Sequence, residues 1–263
     1  MKKILYLSFY FEPDLCAGSF RNTSLLKRLE KEIDENIEIL LLTTTPNRYS
    51  SFKVKSRLFE ENNNITIHRI DIPNHKNGFI DQIISFTKYF YEVKKISRNY
   101  KFDLIFSSSS RLFTAYLAYT VSKRYETPLY LDIRDIFVDN LNDLIKNKII
   151  KFIIIKFIKL YEKVTFSSAI HINLISEGFK PYFDKFKKKN LTYFSNGIDN
   201  DFLSFEHKVD FNDKPFIITY AGNIGEGQGL HKIIPRSAEL LGPDFKFQVI
   251  GDGGAKDKLV KMI

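Results

Sequence analysis

Two glycine-rich turns near the end of the chain carry the most explicit chemistry. Gly222-Asn223-Ile-Gly225-Glu-Gly227-Gln228-Gly229 closes the apolar run Phe216-Ile-Ile-Thr-Tyr-Ala, and Gly251-Asp-Gly253-Gly254 closes Phe245-Lys-Phe-Gln-Val-Ile. A strand that runs into a glycine turn and then a helix N-terminus converges backbone N–H groups and the helix dipole on an anion, so the pattern suits a phosphate or diphosphate. The spacing departs from G-x-G-x-x-G and no lysine follows the last glycine, which argues against a nicotinamide or flavin cofactor and against a P-loop. Pro235 falls inside the helix that should start near Leu230, where an interior proline costs on the order of 3 kcal/mol. That helix is expected to start late, to kink or to form poorly.

Three earlier loops place polar groups directly after apolar runs. In Phe11-Glu-Pro-Asp-Leu-Cys-Ala-Gly18-Ser19-Phe-Arg21, small residues allow close approach of a ligand, Ser19 is placed to cap a helix, and Arg21 offers positive charge to a phosphate. A tight turn with a surface arginine explains the same residues. Asp103-Leu-Ile-Phe-Ser107-Ser108-Ser109-Ser110 offers hydroxyl donors or is plain loop. Leu131-Asp132-Ile-Arg134-Asp135-Ile-Phe-Val-Asp139 sets charges beside an apolar strand, where burial is costly unless they are paired or used. Arg134 suits bidentate contact with a carboxylate or phosphate, and Asp135 suits a base or a partner for sugar hydroxyls. A local ion pair that anchors the loop is the other reading.

The stretch 144–163 combines apolar and basic residues with helical spacing. At 3.6 residues per turn, Lys148, Lys151, Lys156, Lys159 and Lys163 gather on one side. Ile149, Ile153, Ile154, Phe157, Leu160 and Tyr161 take the other side, with Phe152 and Ile155 intruding among the lysines. The mixture suits either an interfacial helix on an anionic bilayer or a domain helix with a solvated lysine face. Lysines recur too often for a transmembrane span.

The elements that must position these loops alternate in type. Strands are predicted at 4–9, 37–43, 66–70, 104–107, 129–133, 170–174 and 192–194, and helices at 19–32, 79–100, 113–125 and 148–168. Alternation of this kind predicts an α/β fold with a mainly parallel sheet, in which ligands sit beyond the carboxyl ends of the strands. A polar stretch closing at Pro215 marks a boundary, giving a first domain over 1–205 and the start of a second over 206–263. Both halves begin with a strand and a glycine-containing turn, which suggests two similar nucleotide-binding folds in tandem.

Composition narrows the partners. The 263 residues include 25 Phe and 14 Tyr, enough for ordinary buried cores. A single cysteine, Cys16, excludes a disulfide framework and suits a reducing compartment. The N-terminus lacks a signal-type apolar run and is expected to be a first buried strand. A net charge of +9 favours anionic partners, although biased composition accounts for such an excess equally well. No His, Cys or Asp cluster has metal spacing, and no motif matches a nucleic-acid module, so neither a metal nor nucleic acid is expected.

Taken together, the loops resemble bacterial sugar transferases of glycosyltransferase family four, nearest to the O-antigen and capsule branch that includes N-acetyl-fucosamine transferases. The resemblance lies in Ile4-Leu-Tyr-Leu-Ser-Phe-Tyr-Phe-Glu-Pro13 with Gly18, in Asp103–Ser110 and in Leu131-Asp-Ile-Arg-Asp135. It continues through Ser176-Glu-Gly-Phe-Lys180, Ser195-Asn-Gly-Ile-Asp199, Tyr220–Leu230 and Val249-Ile-Gly-Asp-Gly253. It implies the GT-B arrangement of two Rossmann-like domains: a complete acceptor domain, and the first part of a domain for a nucleotide-sugar donor. Gly18, Ser19, Arg21, Ser108 and Ser109 would then serve the acceptor, with Arg134 and Asp135 at the reacting centre. Gly222, Asn223, Gly225 and Gln228 would approach the donor diphosphate, and Gly251 and Gly253 the nucleoside. The acceptor would be a lipid-linked glycan, and the protein would be peripheral to the cytoplasmic face of the inner membrane, with the five lysines of 148–163 towards the bilayer.

Where family members carry Arg and Lys near the second-domain glycine turn, Asn223 and Gln228 stand here, as in the fucosamine branch. Family members continue through a paired-glutamate motif that holds the donor, which this sequence lacks, so a truncated, weakly active or inactive enzyme is the expectation. Two alternatives remain open: a non-catalytic membrane-associated subunit completed by a partner chain, and a sugar-nucleotide 2-epimerase-like enzyme.

Overall fold

The computed structural model describes the chain apart from residues 49–53, 74–78, 110–111, 137, 139–146, 187–189, 199–202 and 205–213. Ser110, Asp139, Asp199, the first residues of the basic stretch and most of the expected boundary lie outside the described residues. The chain divides into two compact units, Met1–Gly197 and Ile198–Ile263.

The first unit is built on β1 (Lys2–Ser8), α1 (Ala17–Glu32), β2 (Ile37–Thr44), β3 (Phe59–Asn62), β4 (Ile65–Ile70), α2 (Phe79–Ile96) and β5 (Leu104–Ser109). It continues with α3 (Leu112–Tyr125), β6 (Leu129–Ile133), α4 (Lys148–Ser168), β7 (His171–Leu174), α5 (Lys180–Phe183) and β8 (Asn190–Tyr193). The strands form one sheet in the order β3-β4-β2-β1-β5-β6-β7-β8. All its neighbours pair in parallel except β3 with β4.

Two apolar clusters cover the two faces of the sheet. Leu5, Leu7, Leu40, Leu42, Ile105, Leu129 and Leu131 pack with Tyr89 and Val93 of α2, Ala115 and Ala118 of α3, and Phe166 of α4. Tyr6, Ile39, Leu41 and Ile65 face the other way, against Leu26 of α1. Burial on both faces explains why these strands read as unbroken apolar runs. Each fully buried Leu or Ile contributes about 1.5–3 kcal/mol.

The parallel strands lie where the apolar runs place them, whereas β3 does not register as a strand in the sequence. Its residues Phe59-Glu-Glu-Asn form an exposed edge joined to β4 by a tight turn in which Asn63 adopts φ 48°. A short polar edge strand has no buried face to impose alternation, so its pairing comes from the turn. The predicted helix 79–100 ends at Ile96 and passes into a 3-10 turn, Ser97–Asn99.

Buried Arg69 fixes the loop that follows β1. Its Nη2 donates to the Glu12 carbonyl at 2.9 Å and its Nη1 to the Arg57 carbonyl at 3.0 Å, and its guanidinium also pairs with Glu60. In the same loop, buried Asp14 accepts from the backbone N–H groups of Asn47 and Arg48, each at 3.0 Å. The loop between β1 and α1 is thereby tied to β4 and to the residues after β2.

The second unit comprises β9 (Phe216–Ala221), α6 (Leu230–Leu241), β10 (Phe245–Ile250) and α7 (Lys256–Val260). β9 and β10 pair in parallel, and Tyr220, Phe247 and Val249 pack on Ile224, Leu230, Ile234 and Leu259. α6 runs through Pro235 without interruption, correcting the expectation of a late or poorly formed helix. Leu230 and Ile234, both before the proline, are buried, and their packing offsets the lost backbone bond.

Replacing Arg69 with Met leaves two inward-facing carbonyls without their donor. Urea unfolding is expected to show a loss of about 1–3 kcal/mol, and an unchanged midpoint would mean that the loop is held by other contacts.

Candidate functional site

A row of polar side chains crosses the carboxyl ends of five adjacent strands. Ser8 of β1 is in register with Ser108 of β5, Ser108 with Asp132 of β6, Asp132 with Asn173 of β7, and Asn173 with Thr192 of β8. Four of them, Ser8, Ser108, Asp132 and Asn173, are buried. The strand order reverses direction between β1 and β5, the switch point at which open α/β sheets bind ligands.

Asp132 is the centre of this row. It is 1% exposed, and an ion there requires full pairing because its effective desolvation costs several kcal/mol. Arg21 of α1 grips it in a fork, Nε to Oδ2 and Nη2 to Oδ1, both at 3.2 Å. Ser108 donates Oγ–H to Oδ2 at 3.0 Å, and Asn173 donates Nδ2–H to Oδ1 at 2.6 Å. Arg134 adds an ion pair, Nη1 to Oδ1 at 3.7 Å. Asn173 is itself oriented, because its Oδ1 accepts from Thr192 Oγ1 and from the Phe194 N–H.

α1 is pinned to the same row a second time. Asn22 donates to Ser8 Oγ and accepts from the Tyr6 hydroxyl, each at 2.7 Å. The helix begins at Ala17 with Cys16 at its N-cap, so Gly18 and Ser19 lie in the first turn. Ser19 therefore does not cap the helix; its buried hydroxyl has no hydrogen-bond partner among the described residues.

The outer side of the cluster meets solvent. Arg21 Nη1 donates to the Ser195 carbonyl at 3.0 Å, and Arg134 Nη2 donates to Asn196 Oδ1. Burial presses the Arg134 guanidinium below its ordinary value, with Asp132 opposing. Asp135 is exposed, yet the surrounding protein desolvates its carboxyl enough to raise it above the usual carboxylate range, with Arg134 pulling the other way. Ser109 is buried, and its carbonyl accepts from the Arg134 N–H at 3.2 Å.

Arg21, Ser108 and Arg134, singled out in the sequence, thus meet on one carboxylate, with Asp135 beside them. Asp132, Asn173, Ser195 and Asn196 were given no role of their own. Asp132 does carry a legible signal, a lone acid in the apolar strand Leu129-Tyr-Leu-Asp-Ile133. A shallow cleft of about 600 Å³ lined by Glu30, Ile33, Glu35, Asn63, Asn64 and Ile65 lies at the opposite edge, before β2 and β4, away from this chemistry.

In the second unit the two glycine loops touch each other. The Gly222 N–H donates to the Ile250 carbonyl at 2.9 Å, and Ile224 N–H to the Asp252 carbonyl at 2.8 Å. A Cβ on Gly251 would lie 1.9 Å from the Gly222 carbonyl oxygen, and one on Gly253 would lie 2.4 Å from that of Ile224. Close approach of backbone to backbone thus requires these two glycines, whatever the loops bind. Gln228 Oε1 accepts from Asn223 Nδ2 and from the Gly225 N–H, each at 3.1 Å. Both amides therefore shape the turn from within, and a 3-10 turn, Glu226–Gln228, separates it from α6.

α4 differs from its expected orientation. Asn147 caps it, its Oδ1 accepting from the Ile149 N–H at 3.0 Å. Its inward face carries Ile154, Ile155, Ile158, Tyr161, Glu162 and Phe166, so Ile155 joins the core rather than the lysines. Ile149, Ile153, Phe157 and Leu160, expected on the side opposite the lysines, are exposed together with Phe152. Lys148, Lys156, Lys159 and Lys163 are exposed on the same outer side, whereas Lys151 is half-buried. Among the described residues no helix is long and apolar enough to cross a membrane, and no group of His, Cys, Asp and Glu is placed to hold a metal ion.

No family model matches the chain. WcaI of Escherichia coli K12, named for glycosyl transfer in colanic acid biosynthesis, is 38% identical over 69 residues, 26% of this chain and 17% of WcaI. HepE of Anabaena, solved with UDP and glucose, superposes with TM-score 0.58 at 15% identity, over 100% of this chain and 65% of HepE. Sucrose-phosphate synthase of Thermosynechococcus elongatus gives TM-score 0.63 at 10% identity, over 95% of this chain and 62% of that enzyme. The lipopolysaccharide outer core galactosyltransferase WaaB gives 0.53 at 14%, over 99% and 64%.

The fold is that of the GT-B glycosyltransferases. The chain spans less than two thirds of the length of each of these solved structures.

Gly251→Ala is expected to destabilise the second unit by more than about 1 kcal/mol while the first unit stays folded, read as a separate early transition in thermal unfolding. A single unshifted transition would mean that the loops can part. For Asp135, a raised carboxyl means that the folded state holds the proton more tightly, so its contribution is present at acid pH and lost as pH rises through the shifted value. Asp135→Asn should therefore match or slightly exceed the wild type in stability at neutral pH, with the gap closing on acidification. A gap that widens towards acid pH would reverse the sign.

Proposed function

We propose that this chain acts as a GT-B glycosyltransferase in bacterial surface-polysaccharide synthesis, taking sugar from a nucleotide sugar to a lipid-linked glycan. The observation that carries the reading is the 38% identity with WcaI over 69 residues. HepE, whose fold the chain shares, was solved with UDP and glucose, which supports a nucleotide-sugar donor. The order of the motifs supports placement in family four, near the O-antigen and N-acetyl-fucosamine branch.

In this reading the glycine loops after β9 and β10 take the donor, Gly222 and Gly225 at the diphosphate and Gly251 and Gly253 at the nucleoside. The carboxyl edge of the first unit takes the acceptor, with Arg134 and Asp135 at the reacting hydroxyl. A carboxyl raised by its surroundings is better matched to accept a proton than an ordinary aspartate. Transfer is proposed to proceed without a bound metal.

The membrane face is assigned to α4. Ile149 and Phe152 are 73% and 69% exposed and stand beside exposed lysines, the pairing that binds an anionic leaflet through buried apolar area and charge together. The protein is then peripheral to the cytoplasmic leaflet. A second reading, a subunit covered by a partner chain, is favoured by Ile217 and Ile250, exposed on the sheet face away from α6.

The test is sugar transfer from labelled nucleotide sugars to a polyprenyl-diphosphate glycan held in vesicles, alongside calorimetric titration with UDP. Transfer is expected to be greater on anionic than on neutral vesicles, and Phe152→Asp should weaken vesicle binding about tenfold. Absence of both transfer and UDP binding would overturn the transferase reading, and co-purification of a chain that restores transfer would favour the subunit.

A further inference from the structure

The two arginines beside Asp132 have unlike inner and outer surroundings. Inside, the carboxylate is held by Arg21, Ser108, Asn173 and Arg134 in the buried row. Outside, among the described residues, the arginines donate to neutral oxygens in solvent-exposed positions, the Ser195 carbonyl and Asn196 Oδ1. Ser195 and Asn196 directly precede Gly197, where the first unit ends.

On the buried side two guanidinium groups share one carboxylate, and the second acid that acts on Arg134, Asp135, lies on an exposed residue. Arg134 Nη1 is buried and has no hydrogen-bond partner among the described residues, so its pairing is incomplete even on the inner side. A guanidinium binds phosphate oxygens in a fork and more strongly than it binds a neutral carbonyl. The weak, exposed, neutral partners are therefore the replaceable ones, and the buried carboxylate is the fixed one.

We infer that Asp132 is a positioning residue that anchors an anion-responsive clasp. It holds Arg21 and Arg134 against Ser195 and Asn196, and an arriving diphosphate takes over their outer N–H groups and releases the 195–197 segment. The inference rests on the reading that the first unit receives a diphosphate-linked acceptor, and it ties arrival of that acceptor to the freedom of the segment by which the chain leaves the unit. No bond is made or broken; the exchange is of hydrogen-bond partners alone.

Hydrogen exchange of the full chain, with and without inorganic pyrophosphate at matched ionic strength, reads the clasp directly. Exchange of the Phe194 N–H, held by the Leu174 carbonyl and Asn173 Oδ1 at the root of the segment, is expected to rise several-fold with pyrophosphate. Asp132→Asn should show the raised exchange without anion and little further response, and Arg134→Lys should respond only partly. Asn196→Ala removes an exposed competitor and leaves the buried contacts alone, so it should bind pyrophosphate several-fold more tightly, and it keeps the test decisive if Asp132→Asn fails to fold. Unchanged exchange in the wild type, or equal or weaker binding by Asn196→Ala, would overturn the clasp. A response to UDP at lower concentration than to pyrophosphate would overturn its assignment to the acceptor. Sugar transfer without the response sinks the clasp alone, and the response with neither transfer nor UDP binding sinks the transferase reading alone.

Discussion

A carboxylate withdrawn from water must be neutralised and hydrogen-bonded at once, and Asp132 imposes that requirement on the whole carboxyl edge of the first unit. Satisfying it draws in β5 through Ser108, β7 through Asn173 and α1 through Arg21. Asn173 in turn recruits β8 through Thr192. Each of these groups is correct only if its strand is in register, since a one-residue slip would turn the side chain to the other face of the sheet. The apolar clusters supply most of the folding free energy, but they tolerate exchange of one aliphatic group for another. The polar row does not, and so it specifies the alignment of β1, β5, β6, β7 and β8.

The second unit obeys a steric constraint in place of an electrostatic one. Its two loops pass so closely that backbone carbonyls occupy the space of a side chain at Gly251 and Gly253. Gln228 then closes the first turn on itself by accepting from Asn223 and Gly225. The glycine pattern therefore has two explanations that do not compete. Loop-to-loop packing fixes the backbone, and in the proposed donor role a backbone already fixed would lower the entropy cost of binding.

Helix α4 shows where periodicity reaches its limit. Apolar and basic residues both repeat at helical spacing around much of its circumference, so the sequence alone admits more than one inward face. Packing chose the stripe that includes Ile155, Ile158 and Phe166, and left Ile149, Phe152, Ile153, Phe157 and Leu160 outside. The choice follows from the surroundings: the inward stripe includes Glu162, which only a partner such as the Tyr182 hydroxyl allows to be buried. Pro235 is a similar case, since tertiary packing of Leu230 and Ile234 outweighs a local penalty that reads as decisive in the sequence.

The amino-acid sequence by itself determined the α/β class and the parallel strands, because strands buried on both faces must be apolar throughout. It also marked the glycine turns and the charged loop after β6, because such residues beside a buried strand demand a partner. It could not show that Arg21, more than a hundred positions from Asp132, is that partner, nor that Asn173, Ser195 and Asn196 complete the cluster. Those pairings depend on which strands become neighbours and in what register, and β3 shows that even a strand can escape notice when only a turn specifies it. Residue chemistry is local and legible in order along the chain. The neutralisation of a buried charge is a property of three-dimensional neighbours, and only the tertiary structure decides it.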